Sequence, residues 1–144
     1  MGSTTWSGPI KAGTVREGAS ANVGSVVLSQ TATFTHAQAE VDTSTGIIIP
    51  ANSQIIDIHV EVTTAWDSAT GAALEIGNGT DVDKYADVAA LKTPTGRSTV
   101  AVDATQAAAW MDVGTSDVTI YTKITETGAA AAGSANITVL YCQN

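Results

Sequence analysis

The chain has 144 residues and a mass of 14.6 kDa, which fits one domain with a single hydrophobic core. Hydrophobic residues make up 44% and aromatic residues 5%, so the core must be built mainly from Ile, Val, Leu and Ala. The net charge is −8: residues 1–22 hold two basic and one acidic residue, for +1, which leaves −9 on the remainder. An acidic body repels phosphate backbones and argues against nucleic acid as a partner.

The chain offers no sign of a membrane or an oxidising compartment. Its single cysteine, Cys142, permits no internal disulfide and fits assembly in a reducing cytosol. No apolar stretch approaches the length of a membrane span, and the N-terminus lacks the run of about 7–15 apolar residues of a signal peptide. We therefore expect no membrane partner.

Residues 1–22 are rich in glycine and show little periodicity, which predicts an extended N-terminal arm ahead of a β-sandwich domain over 23–144. Trp6 gains nothing in a solvated tail, whereas an arm docked on another subunit would bury it as an anchor. We predict a docking arm whose interacting residues are Trp6, Pro9, Ile10, Lys11 and Arg16.

Alternation predicts strands from Val23 onward. In VGSVVLSQTATFT, one face carries Val26, Leu28, Gln30, Ala32 and Phe34. After a polar break at 36–45, a strand at 47–49 ends at Pro50. In the next strand, 54–66, aliphatic and charged side chains alternate. The aliphatic side chains on one face are Ile56, Ile58, Val60 and Val62, and the charged side chains on the other are Asp57, His59 and Glu61. A sheet with one face buried in the core and the other exposed to solvent is typically antiparallel.

The second half of the chain continues the pattern. Strands are predicted at 73–76, in STVAVDA, in AAAWMDV, in DVTIYTKIT and at 136–142, with a loop at 127–134. Apolar spacing of three and four residues makes 81–91 the one helix candidate, with Thr80 as its cap, although so short a segment could instead be a loop. About eight strands predict an all-β antiparallel sandwich, jelly-roll-like, with at most one short helix.

Two groups of polar residues could carry site chemistry. Asp81, Asp83 and Asp87 follow a Gly-rich turn and could offer oxygen ligands to calcium, but the EF-hand pattern is missing and Asp is also favoured at a helix start, so we expect no metal. His59 lies between Asp57 and Glu61, where a carboxylate could orient it, although a surface cross-strand partner is the commoner outcome. No nucleophile elbow or phosphate loop is present. We expect neither enzymatic activity nor a cofactor.

The aromatic residues have two interpretations. Trp66 and Trp110 are most simply core or rim residues near strand ends, but Trp66, Trp110, Tyr121 and Tyr141 could instead form a sugar-binding platform. Without a secretion signal, the glycosylation sequons at Asn78 and Asn136 are accidental, and Asn78-Gly79 indicates a turn.

Four segments together resemble the small structural proteins of tailed bacteriophages: TTWSGPIKAG, NVGSVVLSQ, IIIPANSQIIDIHVEVTTAW and ALEIGNGTDVD. They are most similar to head decoration, or cement, proteins, especially those of marine phages. The resemblance implies a jelly-roll-like domain, commonly trimeric, that binds the outside of an assembled capsid and stiffens it against internal DNA pressure.

The resemblance thus implies a virion protein on the outer surface of the head, assembled in the host cytoplasm, with the major capsid protein and copies of itself as partners. The docking arm would then bind a neighbouring protomer or the shell. The alternative is a tail or head-fibre β-domain that binds host-surface glycans. A third class, a hydrolase, would need turnover that depends on His59 or Asp57, and we expect none.

Overall fold

The computed structural model describes residues 11–14, 22–88, 90–92 and 94–143, with the first two strands described by their backbone pairing alone. Ten strands, one α-helix and one short 3₁₀ helix follow one another in this part of the chain. The strands are β1 (Lys11–Thr14), β2 (Asn22–Ser25), β3 (Leu28–Thr35), β4 (Thr43–Ile49), β5 (Ser53–Thr64), β6 (Gly71–Gly77), β7 (Ala86–Val88), β8 (Gly96–Ser98), β9 (Val118–Thr127) and β10 (Ser134–Gln143). The 3₁₀ helix spans His36–Gln38, and helix α1 spans Ala104–Met111.

Strands β3 to β10 form two four-stranded antiparallel sheets, one in the order β3-β10-β5-β8 and the other in the order β4-β9-β6-β7. Strand β3 pairs with β10, β4 with β9, β5 with β8, and β6 with β7. Such nested pairing is a long hairpin rolled into two sheets, which is the jelly-roll topology. The predicted all-β antiparallel sandwich is confirmed.

The core lies between the two sheets and is almost entirely aliphatic. Leu28, Gln30, Ala32 and Phe34 face inward from β3, as the alternation predicts, and the Phe34 side chain is 1% exposed. The largest buried side chain is Trp66, which follows β5 and stacks at a tilt on Phe34 with 5.8 Å between ring centroids. Trp66 is therefore a core residue, which confirms the interpretation of Trp66 as a core or rim residue near a strand end.

Strand β5 departs from strict alternation at one point. Ile58, Val60 and Val62 are buried as predicted, but Ile56 is 43% exposed and Ile55 is buried in its place. The pairing of β5 with β10 shifts between Leu140 and Tyr141, where a bulge inserts one extra residue into β5. The prediction that Ile56 lies on the core face is therefore wrong, because the bulge reverses the inside-outside pattern at this position.

The position of the helix also differs from the prediction. Residues 81–85 form turns and bends and 86–88 form strand β7, so the helix over 81–91 is wrong and the alternative of a loop holds for 81–85. The reason is tertiary: Tyr85 and Ala86 enter the core from an extended backbone, and the Tyr85 N–H donates to the Ile76 carbonyl of β6. The α-helix is instead Ala104–Met111, which includes most of the AAAWMDV segment that alternation assigned to a strand. Neither helix of the described residues is long and apolar enough to span a membrane.

Strands β1 and β2 pair with each other as a separate antiparallel two-stranded sheet, in a register that places Lys11 opposite Ser25 and Thr14 opposite Asn22. Strand β2 ends three residues before β3 begins. The hairpin lies across the predicted boundary between the arm, 1–22, and the domain, 23–144. That division stays a prediction.

Candidate functional site on the outer face of the first sheet

The outer face of the β3-β10-β5-β8 sheet carries the polar side chains that alternate with the core. Strand β5 contributes Asp57, His59 and Glu61, and the directly paired positions of β10 are Leu140, Thr138 and Asn136. Strand β8 places Arg97 opposite Glu61. We give the name outer polar face to the polar side chains of this surface, which are Asp57, His59, Glu61, Arg97, Asn136 and Thr138 with Thr31 and Thr33 of β3. Paired residues of β5 and β10 that lie 75 to 83 positions apart in the chain meet here, because the roll pairs distant strands.

A carboxylate orients the histidine on this face, as the sequence suggested it could. The His59 Nε2–H donates to Asp57 Oδ2 at 2.6 Å, while Asp57 Oδ1 accepts from the backbone N–H of Ile58 at 2.8 Å. The Arg97 guanidinium lies 3.8 Å from the same Asp57 Oδ2. All three side chains are at least one-third exposed, so water screens these pairs and each adds about 1 kcal/mol at most to stability.

Hydroxyl and amide groups continue the face across the sheet. Thr31 and Thr138 hydroxyls lie 2.8 Å apart, and the Thr33 hydroxyl donates to the Asn136 side-chain carbonyl at 2.8 Å. Beside them an open concavity of about 290 Å³ is lined by His59, Glu61, Arg97, Asn136 and Thr138 with the edge of Val60. Such a lining can donate to and accept from a polar partner at several points.

The geometry supplies hydrogen bonding rather than an activated nucleophile. Among the residues that the structure describes, the His59 ring has one hydrogen-bond partner, Asp57, and no Ser, Thr or Cys side chain bonds to the ring. A general base needs such contact with the group that it deprotonates. The contacts that the described residues do make here are the hydrogen bond from His59 to Asp57 and the ion pair between Arg97 and Asp57.

The three aspartates considered as calcium ligands do not converge. Asp81 and Asp83 line an open pocket of about 200 Å³ beside α1, together with Lys84, whereas the Asp87 carboxylate accepts a hydrogen bond from the Gln106 side chain at 2.9 Å. Within the described part of the chain, no three His, Cys, Asp or Glu side chains are placed to hold a metal ion.

Gln106 is a buried polar residue that the sequence analysis missed. Its Nε2 also donates to the Asp83 carbonyl at 2.8 Å, while its Oε1 accepts from the Asp103 N–H and the Asp103 carboxylate accepts from the Gln106 N–H. This is a capping box, and the spacing of Asp103 and Gln106 ahead of an alanine run would have located the helix.

The aromatic platform, the alternative interpretation of these four residues, is not formed. Trp66 is 1% exposed in the core and Tyr141 is 6% exposed, with its hydroxyl accepting from Gln30 Nε2 at 2.9 Å. Trp110 is half-buried on α1, where its Nε1–H donates to the Tyr85 carbonyl at 2.8 Å. With two of the four rings buried, they cannot offer a shared stacking surface to a sugar.

Asn78 behaves as the turn residue that its sequence indicates. Its side-chain carbonyl accepts from the backbone N–H groups of Thr80 and Asp81, and Gly79 has φ +82°. Of the predicted docking residues, Trp6, Pro9, Ile10 and Arg16 lie outside the described residues, and Lys11 lies in β1, of which only the backbone pairing is described. Their role stays a prediction.

The chain was compared with known proteins. No family model and no curated protein matches it. Among solved structures it is similar to a chain of the cyanophage Pam1 capsid asymmetric unit, at 12% sequence identity and a TM-score of 0.49, over 82% of this chain and 85% of that one.

Proposed function

We propose that this protein is a capsid decoration protein of a tailed phage, which binds the outer surface of the head and stabilises it by contact. The observation that carries the proposal is the nested strand pairing, since the eight-stranded jelly roll is a recurrent fold of viral capsid and lectin domains. The resemblance of TTWSGPIKAG and the three other segments to head decoration proteins favours the viral role.

The outer polar face fits a mechanical role. Its charges are mixed and exposed, and its hydroxyl and amide groups are displayed in fixed positions by paired strands. Contacts of this kind are individually weak, but a repetitive shell presents many copies at a high effective concentration. The partners are the major capsid protein and further copies of this chain, as a homotrimer.

Cryo-electron microscopy of the particle, with rebinding of the purified protein to stripped heads, tests this proposal. We expect jelly-roll density outside the shell, grouped in threes, and saturable rebinding. Finding the chain in the tail, or absent from the particle, would refute a decoration role. Single copies or pairs on the head would refute the trimer alone.

The alternative is a tail or head-fibre domain that binds glycans, and its binding site would be the concavity on the outer polar face in place of the aromatic platform. The concavity beside His59 and Arg97 offers the donors and acceptors that a sugar needs. Glycan-array binding that is lost in Arg97→Ala and Asn136→Ala, with unchanged thermal unfolding, would favour this role. The control variant Lys92→Ala, which removes a positive charge outside the outer polar face, should leave such binding unchanged.

A further inference from the structure

The turn that follows β6 holds Asn78, the only asparagine of the chain that is followed by glycine. Asparagine is a thermolabile residue, because its side-chain amide can be lost by reaction with the backbone. A following glycine favours this reaction, since it has no Cβ to hinder its own backbone nitrogen. The pair Asn78-Gly79 is therefore a candidate site of covalent modification.

The reaction is a hydrolysis that consumes only water. The Gly79 nitrogen forms a bond to Asn78 Cγ, and the proton of that nitrogen leaves with the side-chain amide group as ammonia. Water then opens the resulting cyclic imide at either of its carbonyl groups. One product is aspartate, and the other is isoaspartate, in which the main chain runs through the side chain. Both products carry a new negative charge, and isoaspartate also lengthens the main chain by a methylene group.

In the folded domain, hydrogen bonds fix the Asn78 side chain and backbone together. Asn78 Oδ1 accepts from the backbone N–H groups of Thr80 at 3.1 Å and Asp81 at 2.9 Å. The Asn78 N–H donates to the Asp81 carbonyl at 3.1 Å and closes the turn. Ring closure must draw Cγ from van der Waals distance to bonding distance of the Gly79 nitrogen, by rotation about χ1 and ψ of Asn78. That rotation breaks these hydrogen bonds.

Packing on both sides of the turn resists the same rotation. A Cβ added at Gly79 would lie 2.9 Å from Tyr121 Cε2, so the Tyr121 ring of β9 lies directly against the turn. A Cβ added at Gly77 would overlap the Asp81 carbonyl oxygen, so the end of β6 lies equally close to the other end of the turn. The turn therefore has to move away from β6 and β9 before the ring can close.

We propose that Asn78 is a deamidation site that the folded domain keeps closed and that local opening of the 78–81 turn makes reactive. The observed rate is then the rate in an open chain multiplied by the fraction of molecules in which the turn is open. An isoaspartate at this position lengthens a turn that is packed against two strands, so the turn cannot close again and the opening becomes irreversible. The inference does not depend on the proposed function.

A variant that loosens the turn without changing the reacting atoms is the first test. Tyr121→Ala removes the ring that lies against Gly79. In buffer, with folding checked by circular dichroism, we expect deamidation at least about 3-fold faster than in the unsubstituted chain, and equal rates for the two chains in guanidinium chloride. The control Thr125→Ala, on an exposed position of the same strand, should change neither rate. An unchanged rate in Tyr121→Ala in buffer would contradict the proposed closure.

The unsubstituted chain gives a second test that needs no variant to fold. The full chain is incubated at neutral pH in buffer and in unfolding concentrations of guanidinium chloride, and the peptide that contains residue 78 is followed by mass analysis. We expect deamidation at Asn78 to be at least about 10-fold slower in buffer. Asn78→Ser keeps an oxygen that can accept in the turn but has no amide to lose, so this control should gain no mass there. Equal rates in the two conditions, or no reaction in guanidinium chloride, would overturn the proposal.

Discussion

The contact between Gly133 and Trp66 yields a sharp prediction about the core. A Cβ added at Gly133 would lie 2.5 Å from Trp66 Cδ2 and 2.6 Å from Cε2, where ordinary contacts are 3.4–4 Å. The ring is buried against Phe34 and cannot swing into solvent. We expect Gly133→Ala to lower the free energy of unfolding by about 1–3 kcal/mol, the usual cost of overpacking.

The same chain supplies a matched control. A Cβ added at Gly71, in β6, meets no atom within 4 Å, so Gly71→Ala should change stability little. Urea unfolding followed by tryptophan fluorescence measures the difference, and thermal unfolding should show Gly133→Ala lower by roughly 2–4 °C per kcal/mol. If the two alanine variants unfolded within about 0.3 kcal/mol of each other, the close packing of Trp66 against residue 133 would be refuted.

Four further substitutions test other parts of the structure. The pKa of Asp67 is lowered from 3.8, mainly by the hydrogen bond from the Ala132 N–H and next by the one from the Ala131 N–H. The ionised carboxylate therefore stabilises the fold above pH 3.8, and this stabilisation is lost as the pH falls through the lowered pKa. We expect Asp67→Ala to reduce the thermal midpoint at pH 7 and to leave it equal to that of the unsubstituted chain at low pH. Gln106→Ala should cost about 1–3 kcal/mol in urea unfolding, because the buried Gln106 side chain then no longer donates to the Asp83 carbonyl and the Asp87 carboxylate. Ile55→Ala should cost about 2–5 kcal/mol, whereas Ile56→Ala should cost under about 1 kcal/mol; equal losses would mean that the bulge is absent.

The sequence predicted most of the sandwich because alternation reports burial directly. It identified the inward face of β3 and placed His59 beside Asp57 on the wet face of β5. The bulge that exposes Ile56 depends on how β10 pairs with β5, and no local pattern records that pairing. A local pattern did record the helix, in Asp103 and Gln106, but the apolar spacing of 81–91 competed with it.

The rolled pairing also constrains how the domain folds. Strand β10 lies between β3 and β5, and its Tyr141 is paired with Leu28, 113 positions earlier in the chain. The first sheet therefore cannot close until nearly the whole domain has been synthesised, and closing such distant contacts is slow, on the order of milliseconds to seconds for sandwiches of this kind. During synthesis, β3 and β5 await their shared neighbour, so the nascent chain depends on its other strands, or on cellular chaperones, to keep these edges from pairing elsewhere.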